Sequence, residues 1–269
     1  MRFEYQPGTT SLHRLDVRAK LWIFLGFMIA TFLFGHWLPN LILTIMAVAL
    51  LLWAGVGVRG LVKLIAQLSV IVVIVVLFAA FGFAPSATAR PEVARVLFSF
   101  FPGGGLPLTI GGLFYGISLG LRILTMVMLT TLLLVVTPID HFVAAMRQAR
   151  IPHAIVFIVM TALRFIPTMQ HRAEQVLDAQ RARGSRLDSG GIINRARAYI
   201  PIMVPLLTSG IRMSDDLAAA MVNRGYGATK RPTALLTLTA SAVDYFAVGC
   251  AALALAALIW FRFQGWWTL

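Results

Sequence analysis

The chain is short of charge, and shorter still of acid. Only 12% of its 269 residues are charged, about half the level usual in soluble domains. Asp and Glu together number 10, against 23 Lys and Arg. There is one cysteine, Cys250, which excludes an intramolecular disulfide and metal binding through paired thiolates. No Gly-x-x-x-x-Gly-Lys-Ser/Thr loop occurs. The glycine-rich Pro102-Gly103-Gly104-Gly105 has no following lysine, so the chain does not itself hydrolyse nucleotide. The five histidines, His13, His36, His141, His153 and His171, are scattered, and none pairs with another His, Cys or acid at ligand spacing. Asp215-Asp216 is the one acidic pair. Adjacent residues on a helix point in different directions, so it makes a poor acid–base couple. Met1 to Lys20 is polar and no small-residue cleavage site follows the first apolar run, so that run is expected to stay as a span.

What remains is hydrocarbon. Hydrophobic residues make up 59% of the chain and the mean hydropathy is +0.85. Several apolar runs approach or exceed the roughly 18 residues that carry a helix across a bilayer. The fold class is all-α: a polytopic helical membrane protein with about five spans, near 21–36, 39–56, 64–83, 113–136 and 233–261. Three regions follow: 1–136 with four spans, a polar and basic region at 137–232, and 233–269 with the last span. Arg2, Arg14, Arg18 and Lys20, then Arg59 and Lys63, then thirteen Lys and Arg between 137 and 232 all fall on one side of that layout. Arg90, Arg95 and Arg262 fall on the other. The bias puts the amino terminus and 137–232 in the cytoplasm and the carboxyl terminus outside. The net charge of +13 suits such a topology on anionic lipid, with part of it available to an acidic partner. No separate soluble basic domain exists for a nucleic-acid role. Arg122, inside the fourth span, is costly in lipid and is expected to face the bundle or a partner. Asp244 is read as interfacial.

The region 137–232 carries the pattern that points to function. Thr137-Pro138 reads as a helix start, with the threonine capping and the proline at the first helical position, and Ile151-Pro152 as a break. Beyond Pro167 an amphipathic helix is predicted to run to Gly184. A weak repeat then appears: Phe165-Ile166-Pro167-Thr168-Met169 resembles Tyr199-Ile200-Pro201-Ile202-Met203, and each leads into a helix closing on Arg-Gly. Pro167 and Pro201 are therefore read as the two helix starts. Gly184 follows Pro167 by seventeen residues and Gly225 follows Pro201 by twenty-four. The difference of seven, close to two turns, keeps the ends facing alike. Glycine after the last helical residue accepts a left-handed conformation, and arginine in the last turn meets the negative end of the helix dipole. A guanidinium also grips a carboxylate with two parallel hydrogen bonds. A chain with two such tips docks onto something that comes in pairs.

Three stretches carry a resemblance to a known family. They are Tyr5-Gln6-Pro7-Gly8-Thr9-Thr10-Ser11-Leu12-His13-Arg14-Leu15-Asp16-Val17-Arg18-Ala19-Lys20-Leu21, Leu163-Arg164-Phe165-Ile166-Pro167 with Ala179-Gln180-Arg181-Ala182-Arg183-Gly184, and Met221-Val222-Asn223-Arg224-Gly225-Tyr226. With them the chain resembles the transmembrane T component of energy-coupling factor transporters, relatives of ABC importers for vitamins and metal ions. Val17 stands where that family usually has proline, and Asn223 departs from its commonest Ala-Arg-Gly tip. The resemblance implies two long cytoplasmic coupling helices that cross each other. Their tips, here Ala182-Arg183-Gly184 and Asn223-Arg224-Gly225, would enter two ABC ATPase subunits. Their apolar faces would hold one substrate-binding S component. Ile166, Met169, Ile200, Met203, Val204, Leu206 and Leu207 are the candidate contacts, and methionine suits a surface that slides or accepts several partners. The chain would be a non-catalytic subunit in a bacterial inner membrane. It would bind no cofactor of its own, with ATP and Mg on the ATPases and a vitamin or transition-metal ion on the S component. Two rivals stand beside this reading. A conventional ABC importer permease is distantly resembled by Asp178-Ala179-Gln180 and Gly184, but offers one cytoplasmic loop per subunit rather than two tips. An intramembrane lipid enzyme would need convergent acids or histidines near a membrane surface, and none is evident.

Overall fold

The structure is a computed structural model that describes residues 8, 10–82, 96–99, 107–184, 192–228 and 241–263. In chain order the elements are α1 (Ser11–Arg14), α2 (Val17–Leu33), α3 (Trp37–Trp53), α4 (Val58–Gly82), β1 (Val96–Ser99), β2 (Pro107–Thr109), α5 (Ile110–Val136), α6 (Ile139–Gln148), α7 (His153–Ala182), α8 (Ile192–Asn223) and α9 (Ala242–Phe263). Helix starts are set locally. The Asp16 carboxylate caps α2 through the Arg18 N–H, the His36 imidazole caps α3 through Leu38, and the Thr109 hydroxyl caps α5 through Gly112. The fold is helical, with one short antiparallel ribbon that the sequence reading passed over as loop. Its register pairs Val96 with Thr109 and Ser99 with Pro107.

The chain divides into two compact units, Met1–Ala145 with Leu238–Leu269, and Met146–Thr237. The division falls inside α6, where the sequence reading had drawn it at 137.

In the first unit α5 is the hub, packed on α4, α3 and α2, while α2 also packs on α9. A core of Ala47, Leu51, Leu61, Leu64, Met128 and Leu129 sits between α3, α4 and α5. Gly112, Gly116 and Gly120 recur every fourth residue of α5 and bring it against α4. A Cβ at Gly116 would lie 2.7 Å from the Val76 carbonyl oxygen, closer than atoms tolerate. Small residues at this spacing let two backbones approach in an apolar medium. On the other side of α5 runs a polar ladder. Asn40 donates to the Ser118 hydroxyl at 2.7 Å and to the Phe34 carbonyl, and the Thr44 and Thr125 hydroxyls meet at 2.8 Å. Arg122 completes it. Its guanidinium donates to the carbonyls of Thr31 and Phe34 and lies over the Phe32 ring, so it caps the carboxyl end of α2. Asp244 is buried, and accepts from the backbone N–H of Asp16 at 2.8 Å and of Ser241 at 2.7 Å.

Among the described residues four helices are long and apolar enough to cross a membrane, α4, α5, α7 and α9; of these α7 lies in the region expected to be cytoplasmic, while α2 and α3, at the first two expected spans, are 17 residues each. The predicted start of the fifth span, 233, lies outside the described residues, and α9 runs from Ala242. Thr137 does not cap α6. Helix α5 runs to Val136, so Thr137 is its carboxyl cap, buried and with no partner on its hydroxyl among the described residues.

The second unit is a pair of long helices, α7 of 30 residues and α8 of 32. Arg172 bonds the Ser209 hydroxyl, and the Tyr226 hydroxyl lies 3.3 Å from His153 Nδ1. Residue numbers on one helix therefore fall as those on the other rise, and the pair is antiparallel. Here the sequence reading needs a correction: neither Pro167 nor Pro201 starts a helix. Pro167 lies in the middle of α7, and Pro201 with Pro205 inside α8. Proline removes one backbone bond per occurrence, and in helices this long the flanking turns carry the axis through. The apolar run from Ala154 and the amphipathic run beyond Pro167 are thus one helix. The spacing argument from proline to glycine loses its origin with it. Ahead of α7, Arg150 takes the left-handed conformation, φ 61°, that ends α6 before Ile151-Pro152.

Candidate functional site

Both Arg-Gly tips sit at true helix ends. Helix α7 ends at Ala182, and Arg183 N–H still donates to the Ala179 carbonyl. Gly184 turns to φ +82° and its N–H returns to Arg181 at 2.9 Å. Helix α8 ends at Asn223 in the same way, with Gly225 at φ +71° donating to Val222 at 2.9 Å. Tyr226 N–H then reaches back to the Met221 carbonyl at 2.9 Å, which completes a Schellman closure. Nothing lies within 4 Å of a Cβ built on either glycine, so backbone conformation requires glycine here, not crowding. That open space leaves the arginines approachable. Ala182, Arg183, Gly184, Asn223, Arg224 and Gly225 are all exposed, and no described residue pairs with either tip guanidinium. Near the first tip Asp178 is paired with Arg181 at 3.2 Å.

The antiparallel arrangement sets the spacing of the tips. Tyr226, two residues after Arg224, packs on Phe157 and His153 at the beginning of α7. Arg183 lies at the far end of the same helix. At 1.5 Å per residue the two tips are separated by roughly 40 Å along α7.

Between them lies apolar surface. Met169, Met203, Val204, Leu206 and Leu207 line one groove of about 620 Å³ together with Gly210 and Ile211. Met203 is 67% exposed and Leu207 71%. Ile166 and Ile200 are exposed as well but lie outside this groove. The sequence reading missed a second groove of about 580 Å³ on the same pair, between Phe157, Phe165, Leu217, Met221 and Tyr226. Its trace in the sequence is the pair Phe157 and Phe165, eight residues apart on α7, and the tyrosine directly after the second Arg-Gly. Among the described residues no group of three or more His, Cys, Asp or Glu could hold a metal ion.

Comparison with known proteins bears on the same residues. The profile of the CbiQ family, cobalt transport proteins, matches residues 8–234. The energy-coupling factor transporter transmembrane protein EcfT of Listeria innocua is 31% identical over 237 residues, 85% of each chain. The EcfT protein of Bacillus subtilis is 30% identical over 244 residues, 83% of each. That of Thermosediminibacter oceani is 28% identical over 249, covering 90% of this chain and 89% of its own.

Proposed function

Because this chain belongs to the family of energy-coupling factor transporter transmembrane proteins, we propose that it couples two ABC ATPase subunits to one substrate-binding S component in a bacterial cytoplasmic membrane. The observation that carries this is the pair of exposed Arg-Gly ends on opposed helices, roughly 40 Å apart along α7. One ATPase subunit takes Arg183 and the other Arg224. Each guanidinium meets a carboxylate in a bidentate grip, and the bare glycine lets the partner backbone close in.

ATP binding draws the two ATPases together, and each carries its tip with it. Long helices transmit that displacement as a change in how α7 and α8 pack. The groove of Met169, Met203 and Leu207 lies between the tips and changes shape with the pair. The S component seated there then reorients and exposes or reloads its substrate, a vitamin or a transition-metal ion. Chemistry stays with the partners: ATP and Mg are held by the ATPases, and the substrate by the S component. Unit 2 faces the cytoplasm in this arrangement, a side that the distribution of Lys and Arg over the chain supports.

The test is the double variant Arg183→Glu with Arg224→Glu. Both ATPase co-purification and uptake should fall to background, since reversing a charge in a closed interface costs several kcal/mol. Wild-type uptake by that variant would end the docking reading. One copy of this chain per two ATPases is the expected stoichiometry, and two copies would favour a conventional permease instead.

A further inference from the structure

We propose that the cavity within the first unit is a lipid site that takes one acyl chain of a membrane phospholipid. The site is independent of the coupling reading. The cavity holds about 500 Å³. Helix α2 lines it from Lys20 to Phe27, α3 from Trp53 back to Met46, α5 from Val136 back to Leu129, and α9 from Val243 to Cys250. Each helix contributes the same length of wall, about 10 Å at 1.5 Å per residue. The starts of α2 and α9 and the ends of α3 and α5 therefore share one level, and the cavity descends two turns from it.

That level has the chemistry of a membrane interface. Lys20 is the one charged residue in the wall, and its ammonium donates to the carbonyls of Val136 at 3.1 Å and His13 at 3.2 Å. Trp53 stands exposed at the same height, an aromatic where headgroups meet hydrocarbon. Below it the wall is Phe24, Phe27, Leu50, Leu129, Leu133 and Ala247. Water needs two to four polar partners to occupy such a space, and cavities of this lining stay dry. A polar solute finds few partners here, because Lys20 and Ser11 are the polar side chains of the wall and two of the three Lys20 donors are directed at backbone. Hydrocarbon needs no partner. Met46, Trp53 and Val243 on the rim are exposed on helices of apolar composition, so the space opens towards the lipid phase. An acyl chain enters without desolvating anything and restores the contacts that an empty apolar wall forgoes.

The test uses the full chain in liposomes doped with a phospholipid bearing a photoreactive diazirine midway along one acyl chain. Adducts should concentrate on the segments 129–136 and 243–250. Ala247→Phe, which fills the cavity, should reduce them at least fivefold. Leu133→Trp fills the same space from α5 should the first variant fold poorly, and the wild-type adduct map stands without either. Adducts spread evenly over outward faces such as Ile71 and Phe78 of α4, unchanged by the fillings, would overturn the proposal. So would loss of the wild-type adducts on assembly with partner subunits, which would mean that a protein segment fills the cavity.

Discussion

The two units solve opposite problems with similar helices. In the bundle, polar side chains are turned inward and mostly paired, Asn40 with Ser118, Thr44 with Thr125 and Arg122 with the end of α2, while the Thr137 hydroxyl has no partner among the described residues. Close glycine contacts fix α4 on α5. In the α7–α8 pair almost nothing is hidden. Val156 and Ile202 are its buried hydrophobic residues among those described, while Ile158, Met203, Val204 and Leu207 stand more than half exposed. A helix pair of this length leaves most of its apolar stripe exposed, and under the proposed function partner subunits would cover it. The bundle buries its apolar core, and the pair leaves its apolar stripe open.

That contrast can be broken. Bundle changes should appear as lost stability, and pair changes as lost assembly with little change in melting. Lys20→Met should have the largest effect on stability. It removes the two charged hydrogen bonds that the ammonium gives to the His13 and Val136 carbonyls, together worth about 3 kcal/mol. The readout is the melting temperature in detergent, and an unchanged melt would show that these two bonds contribute nothing. Gly116→Leu comes next. Its side chain collides with the Val76 backbone, and overpacking of this kind costs roughly 1–3 kcal/mol. The smallest effect is expected in the pair itself. Asp178→Asn breaks the exposed contact with Arg181, worth no more than a few tenths of a kcal/mol. A larger loss there would mean that α7 depends on surface charge and would blur the distinction between the units.

Much of this is legible along the chain, and the misses share a cause. The spans at α4, α5 and α9 are visible because a bilayer imposes length and hydropathy on consecutive residues, whereas α7 meets the same measure although its second half reads as amphipathic. The tips are visible because a Schellman closure is made by six neighbouring residues, 221 to 226 at the second tip. Arg122 could be flagged as costly in lipid, but its partners lie about ninety positions earlier and no pattern names them. Pro167 and Pro201 misled because proline is a good local marker of a helix start, yet a long helix tolerates it inside. The glycines of α5 stood in view at regular spacing, and only Val76 and Ala80 on the neighbouring helix explain them.

The sequence by itself determined that the chain lives in a membrane and that two of its helices end in glycine-capped arginines, since hydropathy and capping act over a few bonds. The tertiary structure alone decided three further things: the antiparallel docking that sends those arginines to opposite ends, the approach of Asp244 to Asp16 across 228 residues, and the cavity among α2, α3, α5 and α9. Each depends on which distant surfaces meet, and that is settled by packing the whole chain at once.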